Sequence, residues 1–439
     1  MALAGFLFGF DTVVISGADL SLQELWGRGA AFHGFVVMGS ALWGTVIGAL
    51  CGGYPTDRFG RKYTLIAIGI LYLLSAFGSA VAGDPWVFAA MRFLGGLGVG
   101  ASTVAAPAYV SEIAPPERRG QLVALYQFNI VFGILIAFLS NYLLSGIGPQ
   151  AWRWMIGVEA VPALLYTLLV FTVPHSPRWL LTRGREAEAR EVLRRLHGGG
   201  DAAGTKLCLE TEGGGSSSGH GIFHAKYRVP LLLAFLIAFF NQFSGINAFL
   251  YYAPRIFEVA GLDQSSALLS SIGVGVVNLV FTLLGLFLID RVGRRRLMYV
   301  GSVGYIVSLT LIALSFWQGW QGMAVPVFLF LFIAAHAVGQ GTVIWVFIAE
   351  VFPNHLRGRG QSFGSSVHWV LAAVIPSLVP LLFARIGPAP VFGFFAGMMV
   401  LQFLFVWRLM PETRGVALED LEARLTTPAP STHLQNEPA

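Results

Sequence analysis

The sequence predicts an all-α membrane protein of about twelve spans, built as two related halves of six. Three observations carry that expectation. The 439 residues are 55% hydrophobic and only 12% charged, with mean hydropathy +0.69, whereas a soluble domain carries about a quarter charged residues. Apolar runs of about 20 residues, enough to cross a bilayer, recur near 2–20, 33–54, 63–82, 86–110, 120–144, 153–173, 228–256, 265–289, 295–316, 323–350, 360–383 and 389–410. Finally, three charged motifs return at a nearly constant offset. PTDRFGRK at 55–62 returns as LIDRVGRR at 288–295, SEIAPPERRG at 111–120 as AEVFPNHLRG at 349–358, and PHSPRW at 174 as PETRG at 411. A long period kept three times implies two homologous bundles, the parallel-repeat plan of a transporter with its site between them.

In chain order, residues 1–173 form the first bundle and 174–227 a connector, followed by the second bundle at 228–410 and a tail at 411–439. The connector opens with a surface helix over Pro177–His197, rich in Arg and Glu, and continues as a Gly/Ser-rich flexible linker from Gly198 to Gly221. The tail beyond Leu425 has the composition of a disordered segment.

Basic residues fix the expected orientation. Twenty of the 28 Lys and Arg fall in five loops on one side, and Arg408, Arg414 and Arg424 bring that side to 23. The opposite loops hold Arg28, Arg153, Arg255 and Arg385, and Arg92 falls inside a span. The positive-inside rule then places both termini and the connector in the cytoplasm of an inner-membrane protein. This distribution accounts for the net charge of +5 without a nucleic-acid partner. Met1 opens directly on an apolar run, so no cleavable signal peptide is expected, and the short first run leaves room for residues upstream. Cys51 and Cys208 support neither a disulfide framework nor a thiolate metal site. No phosphate loop or nucleophile–base pair appears, so no cofactor, metal or enzymatic activity is expected.

Asn241 to Tyr252, reading NQFSGINAFLYY, interrupts the seventh run with polar groups. A glycine after such a cluster lets the helix loosen, which hydrocarbon allows only where the backbone lines a cavity. Amides donate and accept to hydroxyls while aromatic rings cover C–H faces, which suits a neutral, hydroxyl-rich ligand. The alternative is that these amides join neighbouring helices. Three amides within seven residues exceed what helix contact needs.

Asp11 lies mid-span, where an aspartate costs roughly 2.5–3.5 kcal/mol to insert, so a functional and paired role is expected. It reads as the one acid in the first half's spans deep enough to be shielded, with Arg92 as the one buried arginine there. A carboxylate with a mobile cationic partner can load and release a proton, and a permanent structural ion pair is the alternative. Glu112 with Arg61 and Arg119, and Glu350 with Arg294 and Arg357, form two clusters related by the repeat. Each Glu is expected to bridge to the loop arginines. His336 reads as a hydrogen-bonding strut, and His368 either as a strut or as a ligand contact beside Trp369. The glycines of GGLGVG at 95–100 have no preceding strand, so close helix packing rather than nucleotide binding is expected.

Taken together, the motifs resemble the sugar porter family of the major facilitator superfamily, from GFLFGFDTVVISG at 5–17 through PETRG. That family includes bacterial proton-coupled xylose, galactose and arabinose symporters and facilitative glucose transporters. The resemblance implies the major-facilitator fold and a monosaccharide substrate, hexose or pentose, carried by alternating access. It implies sugar contacts at Gln127, Gln242, Asn247, Tyr251, Asn278, Gly341 and Trp345, with Phe8 and Trp369 as aromatic walls. Arg92 matches the family's arginine opposite Asp11, an acid that facilitative members lack, so a proton is the expected second partner. The two charged clusters would latch the outward-facing state and break as the inside opens. This chain departs from the pattern at Asn241 and His368, both bearing on sugar contact, and at Thr342, where a proline usually breaks the tenth span and where Thr would stiffen the gate. His175 stands for the usual glutamate, leaving Glu412 without an acidic counterpart. A uniporter and a sugar sensor are the competing expectations, and the connector is short for a signalling domain. No obligate protein partner is expected.

Overall fold

The computed structural model describes residues 2–114, 119–196, 221–353, 356–416 and 418–426, and every regular element among them is helical. Residues 197–220 and 427–439, where a flexible linker and tail are expected, lie outside the described residues, as do Cys208 and the Arg119 side chain. Among the described residues ten helices are long and apolar enough to cross a membrane, and two bent pairs bring the number to twelve when each is one span.

The bent pairs are the first two spans. Leu3–Gly17 joins Asp19–Trp26 at 52°, and Ala30–Met38 joins Ser40–Cys51 at 42°. A short 3₁₀ turn at Ile15–Gly17 and a π-helical stretch at His33–Met38 lie at the two bends, both recognised sites of helix kinking. The Asn141 amide donates to the Val14 carbonyl at 3.1 Å, satisfying a group in buried backbone.

Spans three to six are Arg61–Val81, Pro85–Ile113, Ala124–Ile147 and Ala151–Thr172. The second half runs Ala225–Val259, Gln264–Val292, Arg294–Gln318, Ala324–Val351, Arg357–Ile386 and Pro388–Arg408. Within the first half, span two packs on span four and span one on span five, and the halves meet where span five lies on span eight and span two on span eleven. Without a hydrophobic drive between helices in lipid, such contacts need small residues. A Cβ on Gly96 would sit 1.9 Å from the Ala41 carbonyl oxygen, and one on Gly100 2.2 Å from that of Thr45. The GGLGVG run is therefore a helix-packing face, as expected.

The repeat is also visible in side chains at the motif-bearing end. Arg61 bridges Glu112 at 2.8 Å while Ser176 donates to the same carboxylate at 2.5 Å. In the second half Arg294 bridges Glu350 at 2.9 Å and Thr413 donates to it at 2.6 Å. Gly60 and Gly293, with φ of 91° and 100°, make equivalent turns before spans three and nine. Glu412 accepts from the Arg294 and Arg295 amides and so caps span nine. At the matching point His175 stacks on Trp179, with burial and nearby Lys62 and Arg185 lowering its pKa from 6.5.

The connector departs from the single helix expected over Pro177–His197. It forms two helices, Pro177–Thr182 and Glu186–Leu196, separated at Gly184 in a left-handed conformation (φ 71°). Ser176 caps the first, and Trp179 donates to the Asp57 carbonyl, docking the connector on the first motif.

The tight glycine face yields a direct check. Gly96→Ala should destabilise the detergent-solubilised protein by about 1–3 kcal/mol through overpacking, read as a lower Tm. Gly397→Ala, whose Cβ would meet nothing within 4 Å, should leave Tm unchanged.

Candidate functional site

Span seven is broken where the sequence predicts. The helix Arg228–Phe243 ends, Gly245 takes φ 85°, and Ile246–Val259 resumes. A Cβ on Gly245 would also lie 2.8 Å from Phe395, so both torsion and space demand glycine. Span ten breaks as well, at Gly339 between Ala324–Val338 and Gln340–Val351. Thr342, expected to stiffen the gate in place of a proline, follows this break within the resumed helix. Its hydroxyl donates to the Ala337 carbonyl five residues back, at 2.6 Å, and satisfies the backbone across the break.

The two breaks flank a cavity of about 140 Å³ between the halves. Its lining takes Gln127 from span five, Asn241, Gln242 and Asn247 from span seven, and Asn278 from span eight. Gly341 and Trp345 come from span ten and His368 from span eleven. Eight of the eleven expected contacts are thus brought together. Asn247 donates to Gln242 Oε1 at 2.8 Å, and Gln242 Nε2 lies 2.9 Å from Asn241 Oδ1 and 3.0 Å from His368 Nδ1. Trp345 lies against His368, with ring centroids 4.9 Å apart.

Three expected contacts do not line this cavity. Phe8 and Trp369 meet each other across the halves, ring centroids 5.7 Å apart, and neither is among the lining residues. Tyr251 is fully buried inside the resumed helix of span seven. Conversely, His336 lines the cavity while its Nδ1 sits 2.6 Å from the Tyr305 hydroxyl. It acts as the expected strut and as a wall. Thr282, one turn beyond Asn278, also lines the cavity and was not expected. Its distance of four residues from Asn278 on one helix face was the available signal.

A charged site is buried inside the first half. Arg92 donates to Asp11 Oδ1 at 2.5 Å and to the Asp11 carbonyl at 3.1 Å. Asp11 is not the only shielded acid there, however. Glu159 of span six, fully buried, places Oε2 3.8 Å from the same guanidinium. Its position inside the 153–173 run was the signal overlooked. Two carboxylates thus share one guanidinium in a region from which water is excluded.

A further correction concerns Arg255, counted with the loop arginines although it falls at the edge of the 228–256 run. It lies in span seven, 8% exposed, with its guanidinium 2.6 Å from Asp19. Arg255 also donates to Gln23, and His33 Nε2 lies 2.6 Å from Asp19. This cluster joins span seven to spans one and two at the end opposite the charged motifs. Nearby, the Tyr252 hydroxyl donates to the Pro376 carbonyl at 3.0 Å. That carbonyl would bond residue 380 in a regular helix, but Pro380 has no N–H to give.

The repeated clusters bridge as expected from Glu to loop Arg, yet each bridge lies wholly within one half. Arg357 donates to the Ala349 carbonyl at 3.0 Å rather than to Glu350, because Arg294 and Thr413 already hold that carboxylate. In this structure the clusters tie together the elements of their own bundle.

A family model described as "Sugar (and other) transporter" matches residues 1–425. The chain belongs to the sugar transporter family. The D-xylose-proton symporter of Escherichia coli strain K12 is 34% identical over 468 residues, covering 96% of this chain and 93% of that protein. The arabinose-proton symporter of Bacillus subtilis strain 168 is 36% identical over 431 residues, covering 96% and 92%. Among solved structures, the inward-open xylose transporter XylE from E. coli superposes with TM-score 0.85 at 32% identity, covering 96% of this chain and 98% of that one. The transporter is a membrane protein, not an enzyme.

The buried Asp19–Arg255 pair predicts how the transporter's far end behaves. Removing one partner of a buried pair costs about 3–5 kcal/mol, enough to shift states that differ by a few kcal/mol. In Arg255→Met, a cysteine replacing Asn247 should label faster from that end than in the parent, after Cys51 and Cys208 are removed. Equal labelling rates would leave the pair without a sealing role.

Proposed function

We propose that the transporter moves one monosaccharide with one proton by alternating access, its motif-bearing end facing the cytoplasm of an inner membrane. The observation that carries the reading is a division of labour between the halves. The second half supplies most of the neutral amide cavity, and the first half buries two carboxylates against one guanidinium.

The cavity suits a sugar because its polar groups are uncharged amides, imidazoles and a hydroxyl, with Trp345 beside them. Such groups exchange their mutual hydrogen bonds for bonds to sugar hydroxyls without leaving a buried charge behind. The relatives named as xylose-proton and arabinose-proton symporters support both the sugar and the proton.

Charge counting supports the proton site. With both acids ionised, Asp11, Glu159 and Arg92 carry one net negative charge, and one added proton makes the site neutral. Neutrality in a water-excluded region lowers the cost of rearranging the surrounding helices. With the outside open, Asp11 takes a proton and its hold on Arg92 weakens. The bundles then rock with sugar and proton aboard, and release to the cytoplasm restores the pair. The Asp19–Arg255 seal and the likeness to an inward-open xylose transporter support an inward-facing assignment. The motif clusters, bridged within each half, stiffen the two bodies that rock.

Asp11→Asn leaves Glu159 as the one carboxylate beside Arg92. It should abolish uncoupler-sensitive accumulation of labelled sugar in a transporter-null strain while counterflow exchange persists. Accumulation against a gradient by that variant would refute the proton assignment, and a wild type indifferent to the uncoupler would make the protein a uniporter. For the cavity, Gln242→Ala should weaken sugar binding roughly 5- to 150-fold, the effect of about 1–3 kcal/mol for an unpaired buried hydroxyl. Unchanged binding would return the amides to a purely structural role.

A further inference from the structure

We propose that a one-way chain of side-chain amides, anchored away from the cavity, sets the hydrogen-bonding polarity that the cavity presents to its sugar. Gln340 and Gln402 are then positioning residues that act through Asn241 and Gln242. The proposal rests on the reading of the cavity as the sugar site.

The chain runs through four spans without a change of direction. Asn247 Nδ2 donates to Gln242 Oε1 at 2.8 Å, and Gln242 Nε2 donates to Asn241 Oδ1 at 2.9 Å. Asn241 Nδ2 donates to Gln340 Oε1 at 3.4 Å, and Gln340 Nε2 to Gln402 Oε1 at 2.8 Å. Gln402 Nε2 donates to Ser302 Oγ at 2.8 Å, and Ser302 donates to the Met298 carbonyl at 2.7 Å. Gln340, Gln402 and Ser302 are completely buried, so no water competes for these groups.

Chemistry fixes the direction. A serine hydroxyl has one proton, and Ser302 gives it to a backbone carbonyl that can only accept. Ser302 can therefore only accept from Gln402, which turns the Gln402 carbonyl toward Gln340. The same logic passes through Gln340 to Asn241 and Gln242. Reversing any single amide would set N–H against N–H at one joint and oxygen against oxygen at the next, in a buried region where such mismatches are costly.

The consequence reaches the cavity. The carbonyl oxygens of Gln242 and Asn241 are each engaged by a neighbour, and Gln242 Nε2 gives its hydrogens to Asn241 Oδ1 and His368 Nδ1, so this wall meets the ligand chiefly through Asn247, whose second N–H is held toward it. A sugar oxygen beside that N–H accepts. The chain also spans both helix breaks, since Asn241 precedes Gly245 and Gln340 directly follows Gly339. Asn241 reaches Gln340 because the break turns span ten at that residue.

The test uses labelled D-xylose, L-arabinose and D-glucose with the full-length chain in proteoliposomes. Gln402→Met removes the link while keeping side-chain length, and Ser302→Ala removes only the anchoring hydroxyl. Both should raise KM for the transported sugar about tenfold, as for a lost hydrogen bond, with the maximal exchange rate unchanged. Ser302→Thr, which keeps the hydroxyl, should restore the parental KM. If Gln402→Met fails to reach the membrane, Ser302→Ala decides alone. Parental KM in Ser302→Ala, or a fall in maximal rate with no change in KM, overturns the proposal. Gln242→Ala separates the two readings: if it too binds sugar normally, the sugar-site reading has failed, whereas weakened binding in Gln242→Ala alone sinks only the anchoring chain.

Discussion

An ionised side chain left alone in hydrocarbon is so unfavourable that its partner becomes part of the fold, and the Asp11–Arg92 contact is such a case. Arg92 reaches from span four to both the carboxylate and the backbone carbonyl of Asp11 in span one. Two helices are thereby fixed at the depth where glycines let neighbouring helices approach. The same principle binds Asp19 to Arg255 at the far end, this time across the halves. One buried pair holds a bundle together and the other joins two bundles.

Hydrocarbon also dictates where the polar cavity can form. Backbone interrupted at membrane depth has to find partners, and three such sites here find them in side chains. Thr342 bonds across the Gly339 break, Asn141 meets the Val14 carbonyl, and Tyr252 occupies the carbonyl that Pro380 leaves free. With the backbone satisfied, amide side chains at the breaks remain for a ligand. The broken helices and the neutral amide lining are thus two results of the same constraint.

Much of the fold was legible because spans and repeats are written in composition. Twelve apolar runs matched the twelve spans, and the repeated Glu–Arg motifs reappear as matched bridges with Ser176 and Thr413 in equivalent places. The cavity was legible from span seven, where Gly245 and three amides stand out against apolar neighbours. Single charges inside runs were harder. Glu159, Asp19 and Arg255 each lie within an expected span, but their partners are up to 236 residues away, and no local pattern reports such a distance. Phe8 and Trp369, which the resemblance implies as aromatic walls, pack on each other outside the cavity lining. Aromatic character marks a surface that packs, without saying whether it packs on a ligand or on another ring.

The central claim is that one proton crosses with each sugar through a site that is neutral when protonated. Its most direct test is the pH of a weakly buffered suspension of proteoliposomes when a transported sugar is added outside, with no other gradient imposed. The account predicts immediate external alkalinisation, in about one-to-one proportion with labelled sugar entry and abolished by a protonophore. Sugar entry at the normal rate with no pH change would contradict it.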